Sequence, residues 1–173
     1  QAILLISFGT SYLGSKEKTI DKIAEKISQA FPHCKLYQAW TSKVIINILK
    51  KRDSLCIPTV EEAMEHIIAD GVKSLVVQPT HLIHGLENEV MEETVRNYAP
   101  QDMDIRFGTP LLSSTEDHKA ALYAATREFS NLPSEEALVF MGHGTSHHAN
   151  SVYAALDYML KDMGYPNFFM GTV

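Results

Sequence analysis

A chain of 173 residues with 45% hydrophobic and 21% charged residues has enough apolar mass for a packed core, which excludes a disordered chain. Its formal net charge of -6 repels phosphates, and so argues against nucleic acid or an anionic membrane surface as the general partner. No apolar run approaches the ~20 residues that span a bilayer and no signal-type start is present, so a cytoplasmic protein is expected.

Ala2 to Phe8 (AILLISF) has the composition of a fully buried strand and breaks at Gly9, Thr10 and Ser11. Lys16 to Phe31 carries Ile20, Ile23, Ala24, Ile27 and Ala30 at helical spacing and stops at Pro32. Lys35 to Thr41 reads as a second strand, and Val44 to Lys51 as a short helix. Lys50, Lys51 and Arg52 form the only conspicuous basic run and read as its solvated end. Thr59 with Glu62 is a capping-box pattern, predicting a helix from Val60 to Ala69 that closes at Gly71. Ser74 to Thr80 is a strand, Glu87 to Tyr98 a helix stopped by Pro100, and Asp104 to Gly108 a short strand. Ser114 caps a helix reaching Phe129, with Glu116 and Asp117 in the first turn where the dipole favours them. Ala137 to Met141 is a strand, His148 to Met163 a helix ended by Gly164, and Asn167 to Val173 a further strand.

This alternation is the signature of α/β architecture with parallel strands covered by helices. The polar turn at Asn131 to Ser134 suggests one domain over 1–134 and the opening of a second over 135–173. LLISFGTS near the start echoes LVFMGHGTS at Leu138 to Ser146, so two similar parallel-sheet domains are expected, the second incomplete. The chain starts at Gln1 without methionine and ends at Val173 inside a strand-like segment, so trimming at one or both ends is expected. Cys34 and Cys56 sit in neither CxxC nor any other zinc or redox spacing, and are expected as reduced thiols packed in a core.

In open α/β sheets ligands bind beyond the carboxyl ends of the strands, which directs attention to three turns. Ser7-Phe8-Gly9-Thr10-Ser11 is rich in hydroxyls and backbone N–H groups; it reads either as an anion cradle or as a tight turn with a helix cap. Thr80 to Glu87 carries His81, His84 and Glu87, which can bind a metal or move a proton, although a histidine after a strand is also often bonded to its own backbone. Met141 to His148 places His143 between Gly142 and Gly144, an arrangement that removes bulk and lets another molecule approach the imidazole. Such a ring both ligates Co, Ni, Fe or Zn and accepts a proton near neutrality. His147 and His148 read as solvent-facing or supporting groups rather than ligands. The chain contains no GxxxxGK[ST], GxGxxG, HExxH or GxSxG, so ATP, NAD and serine-esterase chemistry lose support.

AILLISFGTSY at the start, AWTSKVIINILKKRD at Ala39 to Asp53, GTPLLSS at Gly108 to Ser114 and VFMGHGTSHHA at Val139 to Ala149 together resemble the anaerobic cobalt chelatases of the CbiK type, class II tetrapyrrole chelatases. The resemblance implies two similar α/β domains with a tetrapyrrole in the cleft between them. It also implies insertion of a divalent metal, Co2+ first and Fe2+ or Ni2+ also possible, into sirohydrochlorin in anaerobic cobalamin biosynthesis, without ATP or NAD. By the same resemblance His143 is the catalytic metal ligand and proton acceptor, and Glu87 a cleft carboxylate. The remaining family ligands, a glutamate after the last strand and a further histidine, then lie beyond Val173. Ser7, Gly9, Thr10, Glu87, Gly142 and Gly144 are the expected substrate contacts, with His81 and His84 as secondary candidates and a homo-oligomer as a possible assembly. A haem- or metal-binding module on the same fold, without insertion activity, is the alternative. A histidine phosphotransfer enzyme is a weaker third reading, since nothing basic lies near His143 in sequence.

Overall fold

Hydrophobic composition makes Ala2–Ser7 (β1) the centre of the first sheet, and all six of its residues are buried. The computed structural model describes residues 1–173. After β1 come Leu13–Lys18 (α1) and Ile20–Ala30 (α2), then Lys35–Trp40 (β2), Lys43–Asp53 (α3), Val60–Ala69 (α4), Ser74–Pro79 (β3), Leu86–Tyr98 (α5) and Asp104–Phe107 (β4). The four strands are parallel in the order β2-β1-β3-β4. The chain leaves β1 for β2 on one side and later returns to β3 on the other. The switch point of the sheet, where ligands bind in such folds, is therefore at the carboxyl ends of β1 and β3.

Period-2 alternation turns Ala2, Leu4 and Ile6 of β1 and Leu75 and Val77 of β3 toward Ala63, Met64 and Ile67 of α4 and Met91 and Val95 of α5. Each of the leucine, isoleucine, valine and methionine side chains among them, fully buried, contributes about 1.5–3 kcal/mol. Helix α4 begins where the sequence places it, because Thr59 accepts from the Glu62 N–H while the Glu62 carboxylate accepts from the Thr59 N–H. One expected helix is in fact two. Thr19, at φ -122° and ψ -80°, interrupts the segment, and its hydroxyl donates to the Ser15 carbonyl at 2.6 Å.

Farther along are Thr115–Thr126 (α6), extended by a 3-10 turn at Arg127–Phe129, then Leu138–Gly142 (β5), Ser151–Asp162 (α7) after a 3-10 turn at His148–Asn150, and Phe168–Thr172 (β6). Strands β5 and β6 pair in parallel. Leu112, Leu122, Leu156, Leu160 and Phe168 form their core, with Phe140 and Met170 against it. On the outer edge of β6, the Met170 N–H donates to Asp157 Oδ1 at 2.8 Å, and Lys161 Nζ donates to the Phe168 carbonyl.

Packing divides the chain into one unit of residues 1–81 and 87–110 and another of 82–86 and 111–173. The division differs from the expected boundary at 134. Helix α6 packs with α7 through Leu122, Leu156 and Leu160. The polar turn at 131–136 is stapled to the same unit, since Asn167 Nδ2 donates to the Pro133 and Glu136 carbonyls at 3.1 and 2.9 Å. The cysteines also depart from expectation: Cys34 is only half-buried and Cys56 is exposed. No helix is long and apolar enough to cross a membrane.

Candidate functional site

At the switch point of the first unit, three strand ends are tied together by the chain's own polar groups. Thr80 N–H donates to the Ile6 carbonyl at 2.8 Å, Thr41 N–H to the Ser7 carbonyl at 3.0 Å, and Thr80 Oγ1–H to Ser7 Oγ at 2.9 Å. Ser7 is 2% exposed, so its hydroxyl fastens β1 to β3 and does not project outward. Gly9 has φ +100°, and a Cβ there would stand 2.4 Å from Cε3 of the buried Trp40. Its bareness serves both the left-handed turn and the indole. Thr10 Oγ1 accepts from the Tyr12 N–H at 3.3 Å.

His81 follows β3 in the same unit. Its Nδ1 lies 3.4 Å from Oδ1 of Asn88, a residue 2% exposed, and Asn88 Nδ2 donates to Glu92 Oε1 at 3.0 Å. His81 Nε2 is buried without a hydrogen-bond partner. Burial pushes the His81 imidazole below its ordinary value, against the opposing pull of Asn88 and of the Glu87 charge. Glu87 is exposed in the first turn of α5, where the helix dipole favours a carboxylate. With Trp40, Thr41, Lys43, Glu61 and Met91 it lines a cavity of about 120 Å³, beside which Thr41 Oγ1 is buried without a partner. A larger cavity of about 610 Å³ lies between α3 and α4, away from all the expected site residues. His84 belongs to the second unit, where it is exposed with Nε2 3.2 Å from Ser113 Oγ.

In the second unit, His143 directly follows β5, is exposed, and makes no hydrogen bond. Its glycine neighbours do something other than what the sequence suggests. A Cβ on Gly142 would lie 2.5 Å from Cε1 of Tyr153, and one on Gly144, at φ +72°, 3.1 Å from the Val173 carbonyl oxygen. The space that these glycines vacate is filled by the protein's own groups. They shape the loop that carries His143; they do not themselves leave room for a ligand. The loop is braced further by Thr145 N–H donating to Asn150 Oδ1 at 3.0 Å and His147 N–H to Thr145 Oγ1 at 3.1 Å. His147 Nδ1 accepts from the Ala149 N–H at 3.2 Å, so the neutral ring carries its proton on Nε2. His147 is thus a cap, its ring tilted against that of His148 with centroids 4.0 Å apart. No three His, Cys, Asp or Glu side chains converge to hold a metal ion.

The family match covers this whole arrangement: residues 1–173 match Cobalt chelatase (CbiK) from end to end. The chain belongs to the cobalt chelatase (CbiK) family. As a cobalt chelatase family member it is 36% identical over 166 residues to the sirohydrochlorin cobaltochelatase of Salmonella typhimurium, over 96% of this chain and 63% of that protein. It is 30% identical over 183 residues to the sirohydrochlorin cobaltochelatase CbiKC of Nitratidesulfovibrio vulgaris, over 100% of this chain and 61% of that one. The chain spans about three fifths of the length of these curated relatives. Sequence reasoning missed Tyr153, Asn88 and Glu92. Only the i,i+4 spacing of Asn88 and Glu92 on α5 could have signalled that pair.

Proposed function

We propose that this chain serves the insertion of Co2+ into sirohydrochlorin, with His143 as the metal ligand and proton acceptor and with no need for ATP or NAD. The observation that carries this reading is the exposed, unbonded imidazole of His143 on a braced loop at the carboxyl end of β5. Names of the two relatives, both sirohydrochlorin cobaltochelatases, support the substrate and the metal.

A divalent ion entering a neutral macrocycle displaces two inner N–H protons, so charge balances without hydrolysis or electron transfer. An imidazole suits both halves of the exchange, because it binds borderline divalent metals and accepts a proton near neutral pH. It holds the metal less tenaciously than thiolates do, which favours transfer onward to four ring nitrogens. Fe2+ and Ni2+ fit the same donor. Glu87 adds negative charge on the lining of the small cavity in the first unit and acts on the incoming cation. The glycines beside His143 contribute by giving the loop its shape, and Ser7, Gly9 and Thr10 by holding the switch-point turn.

The test is to mix the protein anaerobically with sirohydrochlorin and Co2+ and follow the macrocycle's absorption bands. Insertion changes them progressively with time and catalytically with protein, and His143→Ala abolishes that change. A band shift that is immediate and stoichiometric would instead make the protein a haem- or metal-binding module and overturn the reading.

A further inference from the structure

His143 hangs between two points that the start of α7 holds. Before it, the bare Cα of Gly142 lies on the ring of Tyr153, where a Cβ would stand 2.5 Å from Cε1. After it, Thr145 is fastened twice: its N–H donates to Asn150 Oδ1 at 3.0 Å, and its Oγ1 accepts from the His147 N–H at 3.1 Å. Asn150 closes the 3-10 turn that leads into α7, and Tyr153 lies in the first turn of α7, three residues on. That spacing sets both side chains on one helical face. The buried Leu156 and Leu160 fix the same helix in the core of the second unit.

The bonding of Asn150 is not what a helix start alone asks for. His147 is the N-cap of the helical segment, its Nδ1 accepting from the Ala149 N–H, and Asn150 stands three residues after it. In a capping box the side chain at that position accepts from the N–H of the cap residue. Here the His147 N–H goes to Thr145 Oγ1, and Asn150 reaches past the cap to the Thr145 N–H, two residues nearer to His143. A polar group that leaves the local rule to hold a loop is expected where the loop has work to do.

We propose that Asn150 is a positioning residue for His143, fixing the backbone that presents the imidazole through its bond to the Thr145 N–H. The inference rests on the metal-handling role proposed for His143 and names the group that keeps that ring in place. The His143 side chain makes no hydrogen bond of its own, so its backbone on either side does the holding. A ligand fixed before the ion arrives matters to rate, since a misplacement of about 1 Å can cost about a hundredfold.

The experiment has two arms, each run on the parent, Asn150→Ala and Asn150→Asp. In the first, amide exchange and 15N relaxation report the loop. The parent should show a protected Thr145 amide and order parameters of about 0.85 at residues 143 to 146; Asn150→Ala should lose the protection and fall below about 0.6. Asn150→Asp keeps the acceptor and should match the parent. In the second arm, Zn2+ is titrated against the His143 ring resonances, and Co2+ insertion into sirohydrochlorin is timed. Asn150→Ala should weaken both by up to about a hundredfold, and Asn150→Asp should restore them. A group that served the helix alone would lower the melting temperature and leave both His143 readings unmoved, which overturns the proposal. So does a loop that loosens in Asn150→Ala while Zn2+ binding and insertion match the parent. If Asn150→Ala does not fold, the parent decides: a freely exchanging Thr145 amide sinks the proposal, and a protected one with an equally protected Asn150→Asp sustains it. A parent that neither binds Zn2+ at His143 nor inserts Co2+ ends the function proposed for His143, while the first arm still reports whether Asn150 holds the loop.

Discussion

Gly142→Ala separates two explanations of the glycine beside His143. An added methyl would stand 2.5 Å from Cε1 and 2.9 Å from Cδ1 of Tyr153. Carbon pairs rest at ~3.5–4.0 Å, so ring or strand must withdraw by about 1 Å. Forcing that adjustment in packed structure costs ~1–3 kcal/mol. At about 2 kcal/mol, a chain of this size should melt roughly 4–8 °C lower. Thermal unfolding followed by circular dichroism gives the shift directly. Replacing the ring as well, in Gly142→Ala with Tyr153→Leu, should make the double variant more stable than the sum of the singles implies. If Gly142→Ala melts like the parent while metal insertion disappears, the glycine is there for the ligand and the packing account is wrong.

His143→Ala should remove metal insertion without lowering the melting temperature, because the side chain is exposed and makes no hydrogen bond; a folded, fully active variant would eliminate the mechanism. Glu87→Ala should slow insertion less than His143→Ala does, and an unchanged rate and metal dependence would remove Glu87 from the site. Gly9→Ala should be the more damaging glycine change, since it adds left-handed strain of ~1–2 kcal/mol to a collision with Trp40. Gly14→Ala, with open space around it in α1, is the control that should not destabilise. The lowered His81 value has a sign: below the ordinary 6.5 the unfolded chain takes up a proton that the folded chain resists. Stability is therefore whole above that value and falls as pH falls, and urea unfolding at about pH 7.5 and about pH 5.5 should show a smaller loss in His81→Gln than in the parent.

Local signals made most of the elements legible. The run AILLIS can only be a buried strand, and Thr59 with Glu62 announces α4 through bonds that lie within three residues of each other. What escaped depends on particular side-chain bonds, local or distant, that composition does not announce. The apolar stripe from Ile20 to Ala30 continues a helical period, but the break at Thr19 rests on a side chain turning back to the Ser15 carbonyl. Asn131 to Ser134 has the composition of a linker, yet Asn167 binds that turn into the second unit across a long stretch of chain. Of the site, His143 was found because a histidine between glycines is unusual, although the reason for the glycines lay in Tyr153 and Val173. Asn88 and Glu92 looked like ordinary members of a polar helix face, and their role emerges only once β3 places His81 beside them.

The two edges of the smaller sheet are not equivalent. In parallel pairing, residues 167, 169 and 171 of the last strand turn their amides toward β5, which leaves those of Phe168 and Met170 pointing out. Asp157 and Lys161 have already claimed these outward groups, one as acceptor and one as donor. A stray extended chain meets no vacant ladder there, only a carboxylate and an ammonium, the kind of guard that blunts edge-to-edge aggregation. The amides of Val139 and Met141 point away from β6 and carry no such guard.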